Sequence, residues 1–482
     1  MRKTFLALLI GATLASCGGG GGGGSSPVIE PPVTNKPWAL TKLSAGGFLD
    51  LNQGGCSHYN ILAAGDINND GHDDVVLGPL VCQGVVSYSK VMIGIYDPAT
   101  KMYKSDTAVQ ARMPEMQWAQ RAIAKDFNND GYTDLFLVGT GPDYGQPCGE
   151  APFMFLGSSN GLVDHSHLLP RQSMYTHQMT YADFNNDGKM DFALLNNPWV
   201  PLATEPEQKD CYYQKFPGTR ESYIVLSNGN TWESKPLNVV DPKMIVAGFP
   251  YPIIGQAKNS YNAVTAGDVN NDGNADLVVF GSMWGQLAQR AYTLLGDGKG
   301  AFSVSSYFIE TPYGDNTVSI APSLRQLDGS GTPELIVNYA KHPGVASTGY
   351  QYGSYEVFKF STESLTWTKT TSQYLTNKTG ILETEGGWCP YIQWADLNGD
   401  GKDDFVCGTF KEIPYNDTAF ITPRIWLRTV DGKFEPAYHT GFDITNLFGS
   451  MTIVRVDGKT KVVGLNKNRS FTAGNRLLVI AE

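Results

Sequence analysis

Five stretches of this chain carry the same nine-residue pattern, D-x-N-x-D-G-x-x-D, with no mismatch. They are Asp66–Asp74, Asp126–Asp134, Asp183–Asp191, Asp268–Asp276 and Asp396–Asp404. Carboxylate or amide oxygens recur at positions 1, 3, 5 and 9, and the backbone carbonyl of position 7 adds one more. Hard oxygen ligands of that number suit Ca²⁺, which takes six to eight of them. Glycine at position 6 permits the sharp turn that aims the oxygens inward. The first loop would ligate through Asp66, Asn68, Asp70, the His72 carbonyl and Asp74. Its counterparts are Asp126, Asn128, Asp130, Tyr132 and Asp134, then Asp183, Asn185, Asp187, Lys189 and Asp191. The last two sets are Asp268, Asn270, Asp272, Asn274 and Asp276, and Asp396, Asn398, Asp400, Lys402 and Asp404. About five calcium ions are therefore expected.

The opening of the pattern also fits an EF-hand, which requires Glu at position 12 and flanking helices. Position 12 holds Leu77, Leu137, Leu194, Val279 and Cys407, and the flanks read as strands, so the EF-hand is rejected. A degenerate copy, Gln326–Glu334, keeps the register but has lost the acid at its first position. A weaker echo, Val454–Gly458, lies where a seventh copy would fall.

Each loop follows an apolar segment and precedes a short β-branched or aromatic run, such as Val75–Leu77 or Leu277–Phe280. Short apolar runs separated by turn residues are strands, and the loop between them closes a hairpin. The residue at position 2 is always apolar (Ile67, Phe127, Phe184, Val269, Leu397), and so is expected to plug the core under its loop. A second hairpin follows in each unit, as at Ile224–Gly229 and Thr293–Gly298. Successive copies start 60, 57, 85, 58 and 70 residues apart. Four strands in about 60 residues, repeated, describe the blades of a β-propeller.

On these motifs the chain resembles the FG-GAP/VCBS repeat propellers, from about Trp38 to the C-terminus. The resemblance implies an all-β fold of four-stranded antiparallel blades with calcium in the A–B loops. Seven blades are expected, with Trp38–Ser44 supplying the outer strand that closes the last one. The strands Met451–Val456, Lys461–Leu465 and Leu477–Ala481 would complete that blade. The loops are expected to staple hairpins and not to sense calcium, because no bistable element is visible.

In this architecture the A–B turns lie on one face and the B–C connections on the other. The long connections carry Trp199, Tyr212, Tyr213, Trp284, Tyr350, Tyr352 and Tyr415 among polar residues. Such a face suits sugar stacking or protein docking. These seven aromatics are the candidate ligand-binding residues. The expected partner is a glycan or an envelope or extracellular protein, met by a monomer.

The N-terminus, residues 1–16, reads as an export signal: Arg2-Lys3, an apolar stretch, then small residues. It runs into Leu14-Ala15-Ser16-Cys17, which resembles a bacterial lipobox. Cys17 is thus the expected lipidation site, and residues 17–37 a Gly/Ser/Pro-rich tether ahead of the propeller, 38–482. By that resemblance, Gly18 after the cysteine is compatible with outer-membrane or cell-surface placement in a Gram-negative bacterium, with the membrane met only through the lipid. Export puts the six remaining cysteines in an oxidising compartment. Six cysteines allow 15 pairings, and the expected topology favours Cys56–Cys82, Cys148–Cys211 and Cys389–Cys407.

The chain has 482 residues, 54 of them Gly, and a formal net charge of −11 with no basic stripe, which argues against non-specific nucleic-acid binding, and no nucleic-acid partner is expected. Gly157–Gly161 matches the G-x-S-x-G nucleophile pattern but falls in an expected hairpin turn, away from any strand-to-helix elbow. No catalytic residue is assigned. His165, His167 and His177, with Arg171, leave an alternative reading as a polysaccharide lyase acting on acidic polymers.

Overall fold

The computed structural model describes residues 43–50, 56–82, 88–141, 149–169, 173–196, 221–228, 231–237, 239–240, 253–254, 261–281, 290–310, 312, 314, 317–341, 352–375, 392–407, 425–436, 450–465 and 475–481. All belong to one unit spanning Pro37–Glu482. Among them no helix is long and apolar enough to cross a membrane.

Six blades are each built from four successive antiparallel strands, A to D from the centre outward. The A and B strands of blade 1 are Cys56–Gly65 and Asp74–Cys82, followed by Met92–Asp97 and Met102–Ser105. Blade 2 uses Ala119–Lys125, Asp134–Gly139, Phe153–Leu156 and Val163–Asp164, and blade 3 uses Met179–Ala182, Asp191–Leu194, Tyr223–Asn228 and Thr231–Pro236. Blade 4 comprises Tyr261–Gly267, Asp276–Gly281, Arg290–Gly296 and Phe302–Ile309. Blade 5 comprises Thr317–Arg325, Glu334–Lys341, Tyr352–Ser361 and Thr366–Lys369, and blade 6 Ile392–Ala395, Asp404–Cys407, Ile425–Arg428 and Phe434–Pro436.

The expectation of seven like blades needs correction. The remaining four-stranded sheet is a composite of Met451–Val456, Lys459–Leu465, Asn475–Ala481 and Leu43–Asp50. Its outer strand is Leu43–Asp50, with Leu43 opposite Ala481 and a bulge between Ala45 and Gly47; of the expected Trp38–Ser44 it includes Leu43 and Ser44, and residues 38–42 lie outside the described residues. Bulges bend and twist edge strands, and this one sits at the Gly46-Gly47 pair, which lacks the apolar character used to pick strands. Nor does the echo at Val454–Gly458 form a nine-residue loop. Val456 pairs with Lys459 across Asp457 and Gly458, both at positive φ, 52° and 68°. That is the backbone of a two-residue hairpin turn.

The cores lie between sheets. On strand B of blade 2, Leu135 and Leu137 pack toward blade 1. Phe136 and Val138 on the same strand pack toward blade 3. Blade 4 repeats the pattern, Leu277 and Val279 facing blade 3 and Val278 and Phe280 facing blade 5. A strand buried on both faces must be apolar at every position, which is why the B strands read as continuous runs and do not alternate. The position-2 residues are buried too, and Ile67, Phe127, Phe184 and Val269 each pack against the next blade. They therefore seal the seam between two blades under the loop.

Inside the ring, the six A strands and Met451–Val456 line a central channel of about 430 Å³. Blade 1 meets the composite sheet across a shared core of Ile61, Val75, Leu77, Val454, Val456 and Val463.

Candidate metal centres

The nine-residue loops share one hydrogen-bond plan. In each, the two carboxylate oxygens of position 1 accept the N–H groups of positions 5 and 6, at 2.9–3.1 Å and 2.7–2.8 Å. The Oδ1 of position 3 accepts the same position-5 N–H at 3.0–3.1 Å. Position 5 accepts the N–H of position 7 at 2.8–2.9 Å. Oxygens of positions 1, 3 and 5 are thereby gathered on the inner side of one exposed turn. That donor set fits a hard divalent cation.

Two backbone positions demand unusual geometry. Position 6 is Gly in all five loops, with φ between 81° and 89°. Position 4 also lies in the left-handed region: Asn69, Asn129, Asn186 and Asn271 at 58–61°, and Gly399 at 77°. Asn and Gly are the residues that visit this region at least cost. The recurrence of Asn or Gly at position 4 was a readable signal that the ligand-centred pattern passed over.

Position 9 does more than the pattern implies. Asp74, Asp134, Asp191, Asp276 and Asp404 are wholly buried. In each, Oδ2 accepts the N–H of position 2 at 2.7–3.0 Å. Oδ1 accepts an N–H at 2.6–2.9 Å from strand C, Tyr96, Ser227, Gly296 and Arg428 in turn, or, in blade 2, from Gly157 just after it. One carboxylate therefore straps loop, strand B and strand C together. Burial pushes these carboxyls up, against the pull of the two N–H donors: Asp74 to about 8, Asp134 and Asp276 to about 7, Asp191 and Asp404 to about 6. A positive charge at the loop would oppose that rise. Each oxygen retains a further lone pair for a cation. Among the described residues no three or more His, Cys, Asp and Glu gather as a metal-binding cluster.

Position 7 and position 8 of the first loop close the ring. The N–H of Asp73 donates to the Arg455 carbonyl at 3.0 Å, and Asp73 Oδ2 accepts the Arg455 N–H at 2.6 Å. His72 Nδ1 accepts the Asp457 N–H at 3.1 Å, and Tyr96 Oη donates to Asp457 Oδ2 at 3.0 Å. The His72 side chain is thus spent on the composite sheet, leaving only its carbonyl for the loop. Further seams carry similar ties: Asn129 Nδ2 donates to the Gly188 carbonyl at 2.8 Å and Arg325 Nε to Asp403 Oδ2 at 2.7 Å.

Among the other expected sites, Cys56 and Cys82 face each other in register on strands A and B of blade 1. Cys407 is disulfide-bonded. Cys17, Cys148, Cys211 and Cys389, and the aromatics Trp199, Tyr212, Tyr213, Trp284, Tyr350 and Tyr415, lie outside the described residues. Tyr352 begins strand C of blade 5. The His165 and His167 rings lie tilted to each other with centroids 5.8 Å apart, whereas His177 packs edge-on to Tyr175 at 5.0 Å. Burial lowers the His177 pKa to about 4. Arg171 is outside the described residues. Ser158 Oγ donates to the Gly161 carbonyl at 2.9 Å inside the turn between strands C and D of blade 2, so Gly157–Gly161 is turn chemistry.

Comparison with known proteins agrees with this repeat. Residues 126–194, which hold the second and third loops, match the FG-GAP-like repeat family. No protein of curated function matches the chain. Among solved structures, the Dos1 propeller aligns over 91% of this chain and 95% of its own, at 9% identity and a TM-score of 0.45. A GH43 β-1,3-galactosidase with galactodeoxynojirimycin aligns over 66% of this chain and all of its own, at 12% identity and a TM-score of 0.35. The exotype rhamnogalacturonan lyase YesX aligns over 85% of this chain and 72% of its own, at 13% identity and a TM-score of 0.35.

Proposed function

We propose that the chain is an exported, lipid-anchored propeller whose five intact loops each hold Ca²⁺, and whose opposite face recognises a glycan or an envelope protein. Cys17 then carries the lipid. Two or more acyl chains are needed for stable anchoring, which suits a diacylated cysteine. Bound calcium would supply positive charge to the loop carboxylates and tie the A–B turn. The chain's own residues do the rest: positions 1, 3 and 5 present oxygens, and position 9 fixes the loop to strand C. Disulfides Cys56–Cys82, Cys148–Cys211 and Cys389–Cys407 would brace the B–C end.

The observation that carries this reading is a division between the two ends of the blades. The metal-type loops all join strands A and B, and the A–B connection has the same length in all six blades. The B–C connections leave from the opposite end and vary, spanning 140–152 in blade 2, 195–222 in blade 3 and 408–424 in blade 6. One end is uniform and chemically repeated. The other is long, individual and rich in aromatics, as recognition surfaces on rigid scaffolds are.

The test is a glycan array and an envelope-extract pull-down with the full chain, each run with Ca²⁺ and with EGTA. Binding that falls at least about tenfold on alanine replacement of Tyr212, Tyr213 and Trp284, roughly what a few hot-spot aromatics contribute, supports the proposal. Undiminished binding contradicts it. Appearance of new unsaturated ends on an acidic polysaccharide would mark the chain as a lyase instead.

A further inference from the structure

The fifth blade breaks the loop pattern and repairs it in another way. Its loop, Gln326–Glu334, has Gln in place of Asp at position 1 and Ser330 in place of Asp at position 5. The backbone is nonetheless the same, with Gly329 and Gly331 at positive φ of 73° and 96°. Glu334 at position 9 is wholly buried, and its Oε2 accepts the Leu327 N–H at 2.7 Å, as the aspartates of the other loops do.

What differs is strand C. The residue facing position 9 across the B–C pair is Lys359 in this blade. Carrying the register of the other blades on by one residue places Ile95, Leu156, Leu226, Leu295 and Leu427 there. The Lys359 ammonium donates to Asp328 at position 3, to Ser330 Oγ at 3.0 Å and to Glu334 Oε1 at 3.4 Å. Tyr374 Oη donates to the same Glu334 oxygen at 2.9 Å. Three loop positions that would ligate a metal elsewhere thus converge on one ammonium.

We propose that Lys359 is a built-in cation that replaces the metal ion in the fifth loop, so that this blade is stapled without metal. The charge balance agrees. An intact loop sets three carboxylates against a doubly charged ion, leaving one net negative charge. The fifth loop sets two carboxylates against one ammonium and leaves the same. Burial would lower the ammonium's pKa, but its hydrogen bond to Asp328 and the neighbouring carboxylates outweigh that and leave it raised. Asp328 correspondingly falls to about 2, its burial outweighed by the hydrogen bonds from Lys359 and Ser330.

The comparison with calcium rests on the reading of the intact loops, whereas the staple itself stands on the fifth loop alone. The experiment separates the two. Melting curves of the full chain and of Lys359→Met are recorded in EGTA, where no loop holds metal. Stranding Glu334 and Asp328 without their cation should lower the melting temperature by about 2–4 °C. An unchanged curve overturns the proposal. A second variant, Gln326→Asp/Ser330→Asp/Lys359→Leu, restores the acids at positions 1 and 5 and removes the ammonium, and calcium retained after desalting is counted by mass spectrometry. One ion more than wild type supports the equivalence of ammonium and metal; no gain over a wild type that retains five contradicts it. A wild type that retains none, together with the Lys359→Met loss, refutes calcium in the intact loops and leaves the lysine staple standing.

Discussion

At the scale of single residues, the loops show two kinds of constraint. Oxygens at positions 1, 3 and 5 were legible because ligand chemistry fixes residue type at fixed spacing. Position 4 is constrained by backbone conformation, which ligand chemistry does not reveal. Position 9, legible as a ligand, is fixed as well by burial and by its strap to strand C, which were not legible. Asn129, at φ 61°, also reaches the Gly188 carbonyl of the next loop. Asn129→Gly keeps the conformation and loses only that contact. Asn129→Val must hold a β-branched side chain in the left-handed region, at about 1–3 kcal/mol. Chemical denaturation should therefore rank wild type, then Gly, then Val, with the larger gap at Val. Equal stability of the two variants would remove conformation as the reason for Asn.

At the scale of elements, the blades were readable because strand B, buried on both faces, is a continuous apolar run. The closing strand was not, since Leu43–Asp50 owes its place to pairing with a distant segment and not to its own pattern. The B–C end shows a further device the sequence did not signal. Glu150, buried in the B–C connection of blade 2, accepts the Gln117 N–H at 2.6 Å and pairs through its backbone with Met174. It therefore joins the entry to blade 2 with the segment leading to blade 3. Burial raises its pKa from 4.5 to about 7, against the pull of N–H donors from Gln117, Trp118 and Gly141. The folded state holds this proton more tightly than the unfolded chain. The group's stabilising contribution is thus complete below pH 4.5 and is lost as pH rises through about 7. Glu150→Gln cannot ionise and escapes the loss, which is on the order of 2–3 kcal/mol. The stability of Glu150→Gln relative to wild type should rise between pH 4.5 and 7 and level off above. A difference independent of pH would show that Glu150 does not titrate there.

For the whole molecule, the net charge of −11 is concentrated where the repeat requires it. Every intact loop places three aspartates at ligand positions, and the one loop that lost two acids, at positions 1 and 5, faces a lysine. On the proposed reading this acidity serves metal coordination, and it does not indicate which partner the ring meets. A site saturated a hundredfold above its Kd stabilises a fold by about 2.7 kcal/mol, so five loops filled as proposed would make the metal a principal source of stability. The most direct measurement is the melting curve of the full chain in calcium and in excess EGTA. The account predicts a fall of more than about 10 °C on chelation, restored by adding calcium back. Superimposable curves would contradict it.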